Sequence, residues 1–306
     1  MDVLLNVILP IFLAAGVAAL VQPYLKLDER VLSRVAFYIF GPALAFHALA
    51  TSGVSGSEFA QIAAVEIALT LILWAIGAMI APALQLEGGT RGAFLVGLVL
   101  MNTANYGIPV NQFAFGEAGL ARAVIYYIVS TLLRSSICIY IVARSHQSIR
   151  ASLRSVLTVP VLYTAVAGLI INFTGVRVPD PLLRATNTLG QGSVPAMMIV
   201  LGVQLYRVAK SAVQGARDHW RLPALAALVM GRLLLSPLLA WLLSIAFGVT
   251  GLTRDVIILE SAMPAAVMTL VLTMEYDADP EFAALSVFVT TIASLLTVTV
   301  ILNLLM

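Results

Sequence analysis

Charge is what this chain of 306 residues has least of: Asp, Glu, Lys and Arg make up 10% of it, whereas an average soluble domain carries roughly 25%. Its 17 Lys and Arg against 15 Asp and Glu leave a net charge of +2. No basic run gathers those cations, so nucleic-acid binding has no electrostatic footing. A single cysteine, Cys138, excludes a disulfide framework and a cysteine-ligated metal cluster, and leaves the redox compartment open. Neither an H-E-x-x-H metal motif nor a Walker A loop is present, and there is no G-x-S-x-G nucleophile elbow. The N-terminus lacks a basic stretch followed by a small-residue cleavage site, so residues 3–25 read as a retained first span.

What is abundant is apolar. Hydrophobic residues make up 61% of the chain and its mean hydropathy is +1.01, which places it in a lipid bilayer. A spanning helix needs about 20 mostly apolar residues, and ten segments qualify: 3–25, 33–52, 58–84, 91–115, 120–143, 156–174, 183–206, 221–249, 253–275 and 281–305. The expected fold is an all-α integral membrane protein of ten helices. Loops after the odd-numbered spans carry Lys26, Arg30, Arg34, Arg91, Arg144, Arg150, Arg154, Arg207, Lys210, Arg217 and Arg221; the other side carries only Arg122, Arg177, Arg184 and Arg254. The positive-inside rule then puts both termini on the non-cytoplasmic side of the cell's inner (plasma) membrane.

Ten spans divide into two sets of five, residues 1–150 and 151–306, with matching landmarks in the same order. Pro10 falls opposite Pro160, Pro42 opposite Pro195, Trp74 opposite Trp241 and Pro109 opposite Pro264, and "IVSTLL" matches "IASLLT". With an odd number of spans per half, the second repeat is inverted in the membrane. Within this apolar frame "MNTANYGIPVNQ", residues 101–112, is polar and carries Gly107 and Pro109. Proline removes a backbone hydrogen bond and crowds the preceding turn; in hydrocarbon the freed groups need protein or trapped water, so broken helices line cavities. Met263 and Pro264 in "LESAMPAAVM" repeat the device. Two facing breaks would offer half-helix ends near the midplane, N-terminal ends favouring anions and carbonyl ends favouring cations. Asn102 and Asn105, three apart on one helical face, together with Tyr106, Gly107, Pro109 and Asn111 on the first break and Met263 and Pro264 on the second, are the candidate substrate contacts. A tolerated proline kink is the plainer alternative.

The stretches "LVLMNTANYGIPVNQFAFGEAGLARAVIYYIVSTLL" and "LESAMPAAVMTLVLTMEYDADPEFAALSVFVTTIASLLT" resemble the auxin efflux carrier family, and specifically its short bacterial members described as malate or malonate permeases. The resemblance implies the fold of sodium/bile-acid symporters, with helices 4 and 9 broken and crossing. It also implies a scaffold of spans 1, 2, 6 and 7, a moving transport domain of spans 3–5 and 8–10, and a homodimer formed through the scaffold.

Ionisable residues inside the spans are few. Arg134 and Arg232 sit deep in apolar segments, where a guanidinium faces the bundle interior and has a partner. Its fork suits the carboxylate of an organic anion, so both are candidate substrate contacts; an ion pair with Glu66 or Glu260 is the structural alternative. Glu260 and Glu66 are candidates for proton coupling, and Glu260 with backbone carbonyls offers a sodium site. A helix-end position in outer water is the alternative for Glu66. Ser130 and Thr131 read as satisfying neighbouring backbone, and Gln204 as lining the scaffold side of a cavity or linking helices. No cofactor is expected.

These features fit a secondary transporter of small organic anions such as carboxylates or auxin-like acids, working by elevator-like alternating access. A receptor that binds an organic acid without net flux is the alternative. An intramembrane enzyme has no serine–histidine or paired-aspartate constellation to rest on.

Overall fold

The computed structural model describes residues 3–133, 137, 141, 159–215 and 222–306. The chain forms α1 (Leu4–Leu25), α2 (Glu29–Ala50), α3 (Gly56–Ala83), α4 (Gly88–Val99), α5 (Thr103–Leu133), α6 (Pro160–Thr174), α7 (Asp180–Gln191), α8 (Ser193–Gly215), α9 (Leu222–Ala246), α10 (Gly251–Ser261), α11 (Met268–Glu275) and α12 (Pro280–Leu305). No strand forms among the described residues. Helix starts follow from local chemistry: Asp28 accepts from the N–H groups of Arg30 and Val31, Ser55 and Glu58 form a capping box, and Asp279 accepts from Phe282 N–H. Each satisfies donors that the first turn leaves without partners.

Seven of the described helices are long and apolar enough to cross a membrane: α1, α2, α3, α5, α7 running on into α8, α9 and α12. Three of the ten expected segments differ. Segment 156–174 contributes a described apolar helix of only 15 residues. Segments 91–115 and 253–275 are each divided in two, the first at residues 100–102 and the second at residues 262–267, which contain Pro264. The latter part of the first divided segment continues into α5, whose chain turns at Gly116 (φ 62°).

Two sets of helices pack together. In one, α1 lies along α8, and α2 lies along α6 and α7; in the other, α3 and α10 pack on α5, and α4, α9, α11 and α12 pack on these two and on one another. The sets meet where α8 packs on α12 and on the first turn of α5. The α1–α8 crossing is close because Gly202 lacks a side chain: a Cβ there would sit 2.0 Å from Ala15 O. Gly202→Ala is therefore expected to force the helices apart and destabilise the protein by about 1–3 kcal/mol, the usual range for overpacking. Thermal unfolding in detergent measures the loss.

Candidate functional site

The ends of α4 and α10 face each other. Beyond Val99 and Ser261 the chain runs through irregular segments, 100–102 and 262–267, and Met101 pairs with Ala265 as an antiparallel bridge. Asn102 N–H donates to Pro264 O and Ala266 N–H to Leu100 O, each at 2.9 Å. Ala265 N–H donates to Thr290 Oγ1 of α12 at 3.2 Å. Backbone that leaves a helix inside a membrane must find partners in the protein; here each break supplies partners for the other.

The second break lies where Met263 and Pro264 place it, whereas the first precedes Gly107 and Pro109, at residues 100–102. The helix runs on through Pro109 because Thr103–Gly107 is a π turn, in which Gly107 N–H reaches Asn102 O at 3.0 Å and Ile108 N–H reaches Thr103 O. Its wider ring accommodates proline's missing donor. Asn102 accordingly sits in the break and Asn105 in the π turn, so the two do not share a regular helical face.

Gly107 serves a different purpose. A Cβ on it would lie 2.2 Å from Glu260 Oε2, so the bare backbone there is the seat on which the Glu260 carboxyl rests. Asn111 Nδ2 donates to Glu260 Oε1 at 2.9 Å and to Gly107 O at 3.0 Å. Glu260 Oε2 and Asn111 Oδ1 are buried without a partner. The end of α10 is thereby fastened to the start of α5, and two oxygens remain open between them.

Arg232, fully buried on the π turn Gly231–Leu235 of α9, joins the two carbonyl ends. Its Nη1 donates to Leu98 O at 2.7 Å and its Nη2 to Ser261 O at 2.5 Å, with Ser236 Oγ as a further partner. Leu98 and Ser261 stand in the last turns of α4 and α10, where carbonyls lack intrahelical donors and carry the negative end of the helix dipole. The guanidinium thus meets backbone carbonyls and a hydroxyl rather than a carboxylate.

Glu66 on α3 is 2% exposed, so it is a core group and not a helix end in water. Ser130 donates to its Oε1 instead of to neighbouring backbone. Its other oxygen, Oε2, is buried without a partner, Tyr126 donates instead to Met101 Sδ at 3.4 Å, and Glu66 lies within electrostatic reach of Arg232 and Glu260. Among the described residues Glu66, Glu260 and Arg232 are the only buried carboxyl and cationic side chains, and none of those residues form a His, Cys, Asp or Glu cluster suited to a metal. Arg134 lies outside the described residues.

Asn105 points the other way, toward α8: its Nδ2 donates to Gln204 Oε1 at 3.2 Å, and its Oδ1 is buried without a partner. Tyr106 packs edge-on against Phe12 of α1, ring centroids 5.4 Å apart at 89°. The structure therefore gathers Asn102, Gly107, Asn111, Glu260, Met263 and Pro264 at the paired breaks. Asn105 and Tyr106 meet the α1–α8 set, and Arg232 lies behind the breaks.

Two interrupted helices thus pair backbone to backbone around one cation, and residues 3–302 match the membrane transport protein family. The chain belongs to that family. It is similar to an uncharacterized transporter of Methanocaldococcus jannaschii, 29% identical over 308 residues that cover 97% of this chain and 96% of the relative. An uncharacterized transporter of Methanothermobacter thermautotrophicus is 30% identical over 274 residues, covering 88% and 86%. A transporter family is what the resemblance of the two proline-bearing stretches implies.

Sequence reading missed a cluster that ties three helices of this set together: Arg122 Nε donates to Glu58 Oε1 at 3.0 Å and to Thr253 Oγ1 at 2.8 Å, joining α3, α5 and α10. The signal was "GLTR" at the start of α10, which echoes "GGTR" at the start of α4; Thr90 there donates to Asp279 at 2.7 Å. For Arg232, replacement by Gln removes charge-assisted bonds at both carbonyl ends, each worth about 1.5–3 kcal/mol. Arg232→Gln should lower the unfolding temperature far more than a surface substitution such as Arg30→Gln, read by thermal unfolding in detergent.

Proposed function

We propose that this protein is a secondary carrier of small organic anions, with the substrate held at the paired breaks. The observation that carries the reading is the asymmetry of charge there. Arg232 occupies the two carbonyl ends, while the N-terminal ends of α5 and α11, which favour negative charge, have no carboxylate capping them among the described side chains. Asn102 adds an amide donor beside the first of these ends, and Asn105 extends the polar lining from it toward Gln204 of α8. A carboxylate is the ligand such ends suit, whether from a dicarboxylate or an aromatic acid.

The two halves of the chain are inverted repeats in this reading, ten spans in all. Their register is best taken from Gly88–Thr90–Arg91 and Gly251–Thr253–Arg254, an offset that also places Leu98 opposite Ser261, the two carbonyls Arg232 serves. The set containing α1, α2 and α6 to α8 acts as the scaffold and the dimerisation surface. The set around α5 moves against it, carrying the breaks between the two sides of the plasma membrane, with both termini non-cytoplasmic.

Two buried carboxyls stand against one guanidinium among the described residues, which leaves one negative charge to be balanced. A proton on Glu260 or Glu66, or a sodium ion at the unpartnered oxygens of Glu260 and Asn111, provides that balance and couples transport to a gradient.

Reconstituted in proteoliposomes, the protein is expected to accumulate at least one of malonate, malate and indole-3-acetate, and not the corresponding neutral amides. Asn105→Ala should lower uptake at least tenfold while leaving unfolding temperature within a few degrees. Binding without accumulation would indicate a receptor, and equal flux of the amides would overturn the anion reading. Glu260→Gln should abolish the response of uptake to an imposed pH or sodium gradient; an unaltered response would remove Glu260 from coupling.

A further inference from the structure

Gln204 and Arg207 are three residues apart on α8, hence on one face, and both hold the same carboxylate. Gln204 Nε2 donates to Glu29 Oε1 at 3.1 Å, and Arg207 Nη1 donates to Glu29 Oε2 at 2.8 Å. Glu29 comes from the first turn of α2. The other end of the Gln204 amide, Oε1, accepts from Asn105. An unbroken polar row therefore runs Arg207, Glu29, Gln204, Asn105, and solvent exposure falls along it. The side chains of Arg207 and Glu29 are 49% and 16% exposed, and Gln204 and Asn105 are 8% and 6% exposed as whole residues. The row ends on Asn105 Oδ1, which is buried and unpartnered.

We propose that Gln204 and Arg207 form a carboxylate-binding pair on the α8 side of the site, filled in this structure by the chain's own Glu29. An organic anion entering along this row replaces the Glu29 carboxylate, and is then handed to the second N–H of Asn105 Nδ2, the first being given to Gln204. The chemistry is an exchange of like for like. The entering carboxylate takes the charge-assisted bond of Arg207 and the amide bond of Gln204, so neither donor is left unsatisfied at any stage. An ion pair whose cation is half-exposed, as Arg207 is, is weaker and more readily exchanged than a fully buried one. The Gln204 amide cannot serve a carboxylate at Nε2 without staying in the row that Asn105 completes, which ties entry at the surface to the buried break. Glu29 thereby competes with the substrate and admits only ligands that can replace a carboxylate.

This inference rests on the carrier reading, and its test is chosen to be independent of flux. Ala104 is the one residue from Met101 to Val110 that is not buried, so Ala104→Cys, with Cys138→Ser, reports access to the break; Thr103→Cys serves if that variant does not fold. In sealed vesicles of either orientation, the cysteine is labelled with two methanethiosulfonates of similar size, one bearing a sulfonate and one a trimethylammonium. Glu29→Gln frees the Arg207 charge and should raise the sulfonate-to-ammonium rate ratio about tenfold from the Arg207 side, a typical size for local electrostatic steering. Adding Arg207→Gln should return the ratio to its starting value or below. A ratio unmoved by Glu29→Gln, or a raised ratio that survives Arg207→Gln, overturns the pair. Carboxylate uptake measured in the same vesicles decides the carrier reading separately: uptake with an unmoved ratio sinks the pair alone, and a shifted ratio without uptake of any acid sinks the carrier reading alone.

Discussion

One guanidinium between two carbonyl ends sets the geometry of this protein's centre. Both α4 and α10 stop inside the apolar core, and each stop exposes carbonyls that bilayer lipid cannot satisfy. Arg232 reaches Leu98 O and Ser261 O at once, because the fork of arginine presents donors in fixed, divergent directions where a lysine ammonium is a single point. The π turn at Gly231–Leu235 that carries it is the kind of local rewinding often found at functional sites. With that cation in place, two negative helix ends can approach each other without repulsion.

The remaining polarity follows from that arrangement. The backbone pairing between residues 100–102 and 262–267 fixes the breaks edge to edge, and the Glu260 carboxyl is pressed onto the bare backbone of Gly107. Among the buried polar atoms without partners, Glu260 Oε2, Asn111 Oδ1 and Asn105 Oδ1 lie at or beside the breaks. Buried polar atoms are ordinarily paired, so these are where a ligand, ion or proton would gain most.

How much of this could be read beforehand varied with the physics involved. Apolar runs bounded by charge marked the continuous helices well, since hydropathy and length are local properties. The second break was legible at Met263–Pro264. The first was misplaced, because a proline only signals that a regular helical bond is missing, and a π turn resolves that deficit without ending the helix. Asn111 and Glu260 could be named as polar residues in apolar segments, but their hydrogen bond joins residues 149 apart. The purpose of Gly107 was invisible for the same reason. Arg232 was found by its cost in hydrocarbon, and its partners were not, since a carbonyl at a helix end leaves no mark in the side-chain sequence.

The mutual pairing of the breaks also constrains how the chain is made. Asn102 N–H finds its acceptor at Pro264 and Leu100 O its donor at Ala266, more than 160 residues later in synthesis. Until that later stretch has entered the membrane, the earlier one carries unpaired backbone that hydrocarbon penalises by several kcal/mol per group. The first half of the chain therefore cannot reach its final form on its own as it emerges. Insertion of the N-terminal helices must leave a provisional state, sheltered by water, lipid headgroups or the insertion machinery, and assembly of the centre becomes a late, long-range event of the kind that slows folding.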